Sequence, residues 1–562
     1  MSTNMKEIEF PVASYTEWQE QAVKALKGKP FESLFTKTIE NITLEPLYTK
    51  ESLLEKLGDQ LEKQVATVRH LTKEATFGVA QQIVGDTADA FIANLEESLA
   101  RGNDVITIDS AVAFTWDEPV IAKLAALLSE NSFKIAVTNA NDPLLAVFEG
   151  IDAAKRADVT GLIVSPSPIT LADYPNVRTF AANTVAYHND GANATQELAI
   201  ALSLAAKQAN EASDFDAFAA KFFVNFAVDT QFFTEIAKLR AFKVLWNAFT
   251  AAYGKEAQAV PVAVETSVRS FSKLDVYVNL LRAGNEAFSA AIGGADLITV
   301  HPHDILTKVS DQSVRIARNV LLVTKEESHV LNVLDPAGGS YFVESLTADL
   351  VKDAWALFLD IERAGGIDAY DIATPIAQVH AERIASVEKR KTVLVGTNNY
   401  ADPTETVPAE ENAQFADVKR LAIPFENLRK EFAANPVKTA ILTFGELKNF
   451  KARADFVAGV FATAGVVPTQ SEAFTSVEEA KAWLNNSDFD YVCVAATDED
   501  TKEIVPALLD GKRATVILDA AGRYKEEADA WTAAGLNGFV FAGQNLVEKL
   551  QSVATGAKEV QR

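Results

Sequence analysis

The sequence predicts an α/β protein: a (β/α)8 TIM barrel followed by a flavodoxin-like, doubly wound C-terminal domain. Three observations carry that reading. Eight short β-rich runs, each followed by a stretch of helical period, recur between about residues 60 and 300; strands alternating with helical patterns give βαβ units, and eight such units close a barrel. The segment Asn398–Glu411 (NNYADPTETVPAEE) then turns polar, acidic and proline-bearing, which marks a linker running on as a surface strap to about residue 435. Beyond it, further strand-like runs alternate with helical stretches, the pattern of an open parallel sheet covered on both faces.

Residues 1–44 carry one helical stretch, Tyr15–Leu26, and otherwise read as an arm of the kind that packs on a partner. The barrel, residues 45–370, takes its strands from Val65–Leu71, Val105–Asp109, Lys134–Thr138, Gly161–Ser165, Thr179–Tyr187, Phe222–Phe226, Val260–Glu265 and Leu297–Val300. Its clearest helix lies between the sixth and seventh strands. There Phe232, Phe233, Ile236, Leu239, Leu245 and Trp246 recur mostly at three- and four-residue spacing, with Glu235, Lys238 and Lys243 opposite, so one side packs on the barrel. Helices near Gln312–Glu326 and Ser345–Gly365 follow, the second closed by Gly365-Gly366 as a C-cap. Residues 371–435 form a helical segment and linker. Residues 436–562 form the second α/β domain, with strands near Ala440–Thr443, Tyr491–Ala495, Thr515–Leu518 and Gly538–Phe541, and a helix over Ala454–Ala464.

Composition excludes several functions. With 52 basic and 77 acidic residues in 562, the net charge is 52 − 77 = −25, which disfavours nucleic acid and anionic lipid as partners. No apolar run reaches the eighteen or so residues of a membrane span, and Met1–Phe10 places Lys6, Glu7 and Glu9 where a secretory peptide needs an apolar stretch. A cytoplasmic protein is expected. The lone cysteine, Cys493, sits in the apolar run Tyr491-Val492-Cys493-Val494, so no disulfide forms within the chain and an inert strand residue is expected. His301-Pro302-His303-Asp304 brings metal-ligand types together without a second cluster, and Asp109, Asp117 and Glu118 read as loop solvation rather than an acid–base pair. There is no Walker A loop, nucleophile elbow or Cys-x-x-Cys.

Five segments then resemble one family. Ser313-Val314-Arg315-Ile316-Ala317-Arg318-Asn319 and Asp335-Pro336-Ala337-Gly338-Gly339-Ser340-Tyr341-Phe342-Val343-Glu344 are similar to the SARIARN and DPxGGSYYVE signatures of the methylmalonyl-CoA mutase family. Phe232 to Arg240 (FFTEIAKLR), Pro46 to Thr49 (PLYT) and Val395 to Tyr400 (VGTNNY) add to the resemblance, which covers about residue 45 to the end. Physically these pieces are scaffold: Gly338-Gly339 supplies a tight turn, and Arg315 and Arg318 lie on a helix where they pair with acidic neighbours. The resemblance implies a substrate-binding barrel joined to a cobalamin domain, in an enzyme interconverting methylmalonyl-CoA and succinyl-CoA in propionate metabolism. There adenosylcobalamin supplies the radical chemistry.

The residues such an enzyme needs are missing. The family's cobalt-ligating DxHxxG falls on Lys448, Phe450 and Arg453, and neither a phenyl ring nor an ammonium offers a metal a lone pair. The next cobalamin elements fall on Ala495-Ala496-Thr497 and on Asp519-Ala520-Ala521, where an alanine replaces a glycine needed for close approach. In the barrel, the active-site run after the fourth strand reads Ser165-Pro166-Ser167-Pro168. After the seventh strand Ala263 and Glu265 stand for the family's histidine and glutamine, and Gln64–Lys73 lacks the substrate tyrosine. Tyr187-His188 matches a family Tyr-His pair, and Lys221 stands where a CoA-contacting arginine is expected but lacks its fork. His188 without its partners reads as a hydrogen-bonded structural residue.

A legible scaffold around vacated sites implies a pseudoenzyme: the non-catalytic small (β) subunit of the family's heterodimeric enzymes. This chain then has no catalytic, cofactor-binding or metal-binding residues, and adenosylcobalamin is held by the partner, the large (α) subunit. The barrel interior is expected to be plugged by bulky side chains such as Phe222 or Phe226. Two other readings stay open: an independently active cobalamin-dependent acyl-CoA mutase, and a barrel-based binding or regulatory module.

Overall fold

The computed structural model describes residues 13–72 and 74–560. The leading segment Met1–Phe10, and Lys73 at the end of Gln64–Lys73, lie outside the described residues. Eight parallel strands form the barrel: β1 (Gly78–Val79), β2 (Val105–Asp109), β3 (Ser132–Ala136), β4 (Gly161–Val164), β5 in two pieces (Val177–Arg178 and Phe180–Asn183), β6 (Phe222–Val228), β7 (Val262–Thr266) and β8 (Leu297–Thr299). Leu297 pairs with Gly78, and the bridge from Gln82 to Thr107 carries the ladder on to β2, so the sheet closes.

Seven of the predicted runs overlap these strands; the first does not. Val65–Leu71 lies in the helix α1 (Gln60–His70) and its C-cap, with Gln64 and Val68 turned inward at helical spacing. The true first strand is two residues long, too short to register as an apolar run. Its Gly78 is required, since a Cβ there would stand 2.9 Å from Val105 Cγ2. The predicted fifth strand also runs too far: Val185–Asp190 is a helical turn carrying Tyr187 and His188.

Outside the strands lie α2 (Ala88–Ala100), α3 (Ala194–Glu211), α4 (Phe232–Ala252), α5 (Val278–Gly293), α6 (Asp311–Glu326) and α7 (Tyr341–Arg363). The helix α4 differs from its predicted amphipathic form. It packs against α3, α5 and α7 as well as the barrel, so Glu235, Lys238, Arg240 and Lys243 are all buried while Phe233 is half exposed. Its charged side meets protein, not water.

The C-terminal sheet runs β10-β9-β11-β12-β13, all parallel, with β9 Thr439–Phe444, β10 Thr469–Phe474, β11 Tyr491–Ala495, β12 Ile517–Ala521 and β13 Gly538–Val540. This is a doubly wound order with its switch point between β9 and β11. Separate apolar cores cover its two faces. The helix α8 spans Leu447–Ala462 and so starts about two turns before the predicted Ala454.

The polar segment after Val395 opens inside the protein. Thr397 and Asn398 are fully buried, and the Asn398 amide donates to Val387 O (2.8 Å) and Thr392 O (2.9 Å) while accepting from Leu394 N (2.7 Å). The strap ends in a helix, Ile423–Ala434, whose Phe425, Leu428 and Phe432 join the core beneath β9.

Candidate functional site

Alternation along the strands decides what fills the barrel. In β6 the inward residues are Phe223 and Asn225. Phe222 stacks on Trp246 of α4 at 4.8 Å and Phe226 meets Phe242 of α4 at 5.5 Å, so both face outward. The expected plugs are therefore displaced by one position: Phe223 packs inside with Leu162, Val164, Ala181 and Ala263. Beside it, Lys134 is buried and its ammonium donates to Asn225 Oδ1 (3.1 Å) and Glu265 Oε2 (3.4 Å), while the Asn225 amide donates to Asn183 Oδ1 (3.0 Å). Burial alone would raise the Glu265 pKa, but Lys134 and then His301 outweigh it and bring the carboxyl down to about 2. The axial space is occupied by an internal ion pair.

The strap crosses the carboxyl ends of the strands above this pair. Gln414 Nε2 donates to Asp109 Oδ2 (2.6 Å), Phe415 lies edge-on to the His301 ring at 5.4 Å, and Asn412 donates to Leu306 O (3.0 Å) and Ile305 O (2.9 Å). Lys273 reaches Glu411 at 3.0 Å.

His188 is fully buried, with Nδ1 2.8 Å from Glu197 Oε1 and Nε2 2.7 Å from Ser267 Oγ. Glu197 accepts only, so Nδ1 carries the proton and Nε2 accepts from the Ser267 hydroxyl. Burial first, then Arg269, lowers the His188 pKa to about 4 against the pull of Glu197. The imidazole is neutral and both nitrogens are used. Lys221 sits at the amino ends of the strands, where its ammonium donates to the carbonyls of Tyr174 (2.6 Å), Pro175 (3.1 Å) and Val177 (2.9 Å).

The remaining flagged residues scatter. His303 meets the Tyr277 ring at a tilt (5.3 Å between centroids), Asp304 accepts from Ser310 N and Oγ ahead of α6, and Asp117 caps the helix Glu118–Leu128. Among the described residues no group of three histidines, cysteines or carboxylates gathers to hold a metal. Arg318 meets the Gln81 amide oxygen at 3.3 Å, and no ion pair joins Arg315 or Arg318 to an acid among the described residues; the acidic pairing read from the helix is not what forms. Cys493 lies buried in β11, and burial pushes its thiol pKa far up.

In the C-terminal sheet the stretch Lys448 to Arg453 is helix. Phe450 is buried in the core between α8 and the sheet. Lys448 is exposed and pairs with Glu446 at 2.8 Å. Arg453 spans the carboxyl ends of the central strands: its guanidinium donates to Ala496 O (2.7 Å), to Tyr524 Oη (2.6 Å) and to Asp498. Asp519, fully buried, accepts from Tyr491 Oη (2.7 Å) and pairs with Lys549.

The family described as Methylmalonyl-CoA mutase matches residues 133–480. A methylmalonyl-CoA mutase small subunit of Porphyromonas gingivalis is 30% identical over 97% of this chain and 97% of its own length. The chain belongs to the methylmalonyl-CoA mutase family. A probable methylmalonyl-CoA mutase small subunit of Mycobacterium tuberculosis is 30% identical over 74% of this chain and 73% of its own length. The methylmalonyl-CoA mutase small subunit of Propionibacterium freudenreichii subsp. shermanii is 26% identical over 97% and 95%.

The methylmalonyl-CoA mutase signatures that remain are joined to one another. Arg240, from the FFTEIAKLR segment, is fully buried and forks onto Asp335 and Glu344, the first and last residues of the second signature. Glu344 also accepts from Gly339 N (2.9 Å) and Gln64 Nε2 (2.6 Å). Two further buried ionic sets escaped sequence reasoning: the pair Arg269–Asp229 (2.6 Å), and a triad in which Lys238 is shared by Glu197 (3.2 Å) and Glu235 (2.6 Å). The signal for the second was present: charges at three-residue spacing on a helix flanked by apolar residues on all sides.

Proposed function

We propose that this chain is the non-catalytic small (β) subunit of a heterodimeric, adenosylcobalamin-dependent methylmalonyl-CoA mutase. It stabilises a catalytic large (α) subunit, which holds the cofactor and interconverts methylmalonyl-CoA and succinyl-CoA in the cytoplasm. Residues 1–44 serve as an arm, 45–370 as the mutase-like barrel, 371–435 as helical segment and linker, and 436–562 as a degenerate cobalamin-binding-like domain. That three relatives carry the name small subunit supports the reading, and no helix among the described residues is long and apolar enough to cross a membrane.

One observation carries it. Where the family places its cobalt ligand, the chain has helix, a phenyl ring in the core and an arginine lying across the strand ends. These residues do not fit a corrinoid: none donates a lone pair to cobalt, and Arg453 occupies the switch-point crevice where such sheets take their ligands. The barrel agrees, since Lys134 and Glu265 satisfy each other where an acyl thioester would need free polar groups.

The test is to titrate the purified chain with adenosylcobalamin by absorbance, then add a methylmalonyl-CoA mutase large subunit and assay acyl-CoA isomerisation. Corrinoid capture and turnover are expected only with both chains present, in a stable one-to-one complex. Tight corrinoid binding or turnover by this chain alone overturns the proposal.

A further inference from the structure

Six arginines are buried among the described residues, and five of them each donate at least two hydrogen bonds of 3.0 Å or less. Arg240 forks onto two carboxylates, Arg269 onto Asp229 and two carbonyls, Arg282 onto Asn279 and Val395 O, Arg420 onto Glu426 and Phe271 O, and Arg429 onto three carbonyls. Arg318 is the exception. It is 6% exposed, its one hydrogen bond is the 3.3 Å contact from Nη1 to the Gln81 amide oxygen, and its Nε has no partner. A guanidinium carries five donors and cannot shed its charge, so a buried one held by a single 3.3 Å contact leaves most of its donors unmet.

Arg318 lines a cavity of about 540 Å³ between α2 and α6, and two more arginines, Arg101 and Arg315, line it too. Two carboxylates are also present: Glu97, tied to Arg101 at 2.8 Å, and Asp311, in the first turn of α6. The lining remains net positive by one charge in a chain whose total is −25. The amino end of α6 borders the cavity through Asp311, Gln312 and Arg315, adding the positive end of a helix of sixteen residues. Burial first, then Arg101 and Arg315 against Glu97, lowers the Arg318 pKa; the cluster repels itself.

We propose that the α2–α6 cavity is a binding site for a phosphate-type dianion, held by Arg318 and Arg315 at the amino end of α6. A dianion supplies the acceptors that Arg318 lacks and offsets the charges of Arg315 and Arg318, the two guanidiniums of the cavity without a carboxylate partner among the described residues. The site lies on the outer side of the barrel, away from the axial ion pair, so it is independent of the subunit reading above. The dianion is either free phosphate or the phosphate of an ester.

The test is calorimetric titration of the full chain, alone or with its large subunit, with inorganic phosphate, pyrophosphate and coenzyme A at constant ionic strength. Saturable binding is expected, weakened about tenfold or more by Arg315→Gln and by Arg318→Met and unchanged by Arg363→Gln, an exposed arginine paired with Asp360. Binding of coenzyme A alone, lost in Arg315→Gln, assigns the ester as the source; binding of inorganic phosphate assigns the free ion. Should Arg318→Met fail to fold, Arg315→Gln decides, because Arg315 is exposed. No saturable binding of any of the three probes, or binding unchanged in Arg315→Gln, overturns the proposal.

Discussion

The barrel mouth and the switch-point crevice of the C-terminal sheet are equivalent places, each at the carboxyl ends of parallel strands where such folds take their ligands. They are closed by opposite means. In the barrel, charge is met with charge: Lys134 and Glu265 pair inside, and the strap lays Gln414 and Phe415 over the top. In the crevice, the backbone itself changes, as a would-be loop winds into α8, sinks Phe450 into the core and throws Arg453 across the strand ends. The difference teaches that the carboxyl ends of parallel strands can be closed with whatever their walls already demand. A barrel interior lined by polar inward residues is satisfied by a partner, and a loop beside an apolar sheet face by packing.

The two closures should fail differently. Phe450→Ala leaves a cavity in a dry core and is expected to destabilise the chain by about 3–5 kcal/mol, read as a fall in the denaturant midpoint. Phe450→His restores an imidazole yet is expected to gain no corrinoid absorbance, because the side chain points into the core; a corrinoid spectrum from that variant alone would break the comparison. Lys134→Met strands the Glu265 carboxylate and is expected to cost about 3 kcal/mol, whereas Lys134→Met with Glu265→Leu should recover most of it. Recovery is the mark of closure by charge. If the double variant is as unstable as the single one, the barrel too is closed by shape.

Protonation sharpens the contrast, because the barrel titrates and the crevice's phenyl ring does not. His188 is held neutral with its pKa lowered to about 4 from 6.5, so the unfolded chain takes up the proton first. Stability present above pH 6.5 is then lost as pH falls toward 4, by roughly 3 kcal/mol at the end of that window. Denaturation midpoints of His188→Gln, set against the unmodified chain, are expected to lose this slope between pH 6.5 and 4. An unchanged slope would show that His188 is not what couples the barrel to pH.

How much of this could be read in advance follows the same physics. β2 and β11 coincide with their predicted runs because both are buried, β-branched and five residues long. β1 was displaced into α1, since two residues make no pattern, and β10 went unseen because Thr469 to Ala473 is polar or small and largely exposed on a sheet edge. The losses at Lys448, Phe450 and Arg453 were legible as residue identities, but their consequence, that the loop becomes helix, was not. The seven residues from Leu447 contain no glycine or proline to stop a helix once the loop has no ligand to present. Buried ion pairs were the least legible: Lys134 reads as a surface residue until the strand's alternation turns it inward, and Arg240 finds Asp335 and Glu344 across about a hundred residues of chain.

Arg453 gives the smallest expected effect and the finest test of closure by shape. Its guanidinium side chain is about a quarter exposed; of its acceptors Asp498 lies largely in water, while Ala496 and Tyr524 are buried beneath the arm and become reachable by water once it is removed. Water can replace it at each of them, so Arg453→Ala is expected to cost only about 1 kcal/mol. Removing the arm nonetheless opens the crevice at the carboxyl ends of β9 and β11, and Tyr524 is left as its far wall. If Arg453 is only a lid, Arg453→Ala should admit small aromatic probes at the switch point, detectable as quenching of Trp531, whose ring lies 5.2 Å from Tyr524. It should still refuse a corrinoid, because Phe450 and the α8 backbone remain in place. Admission of a corrinoid by Arg453→Ala alone would mean that the helix does not close the crevice, and that one arginine separates this chain from a cofactor-binding relative.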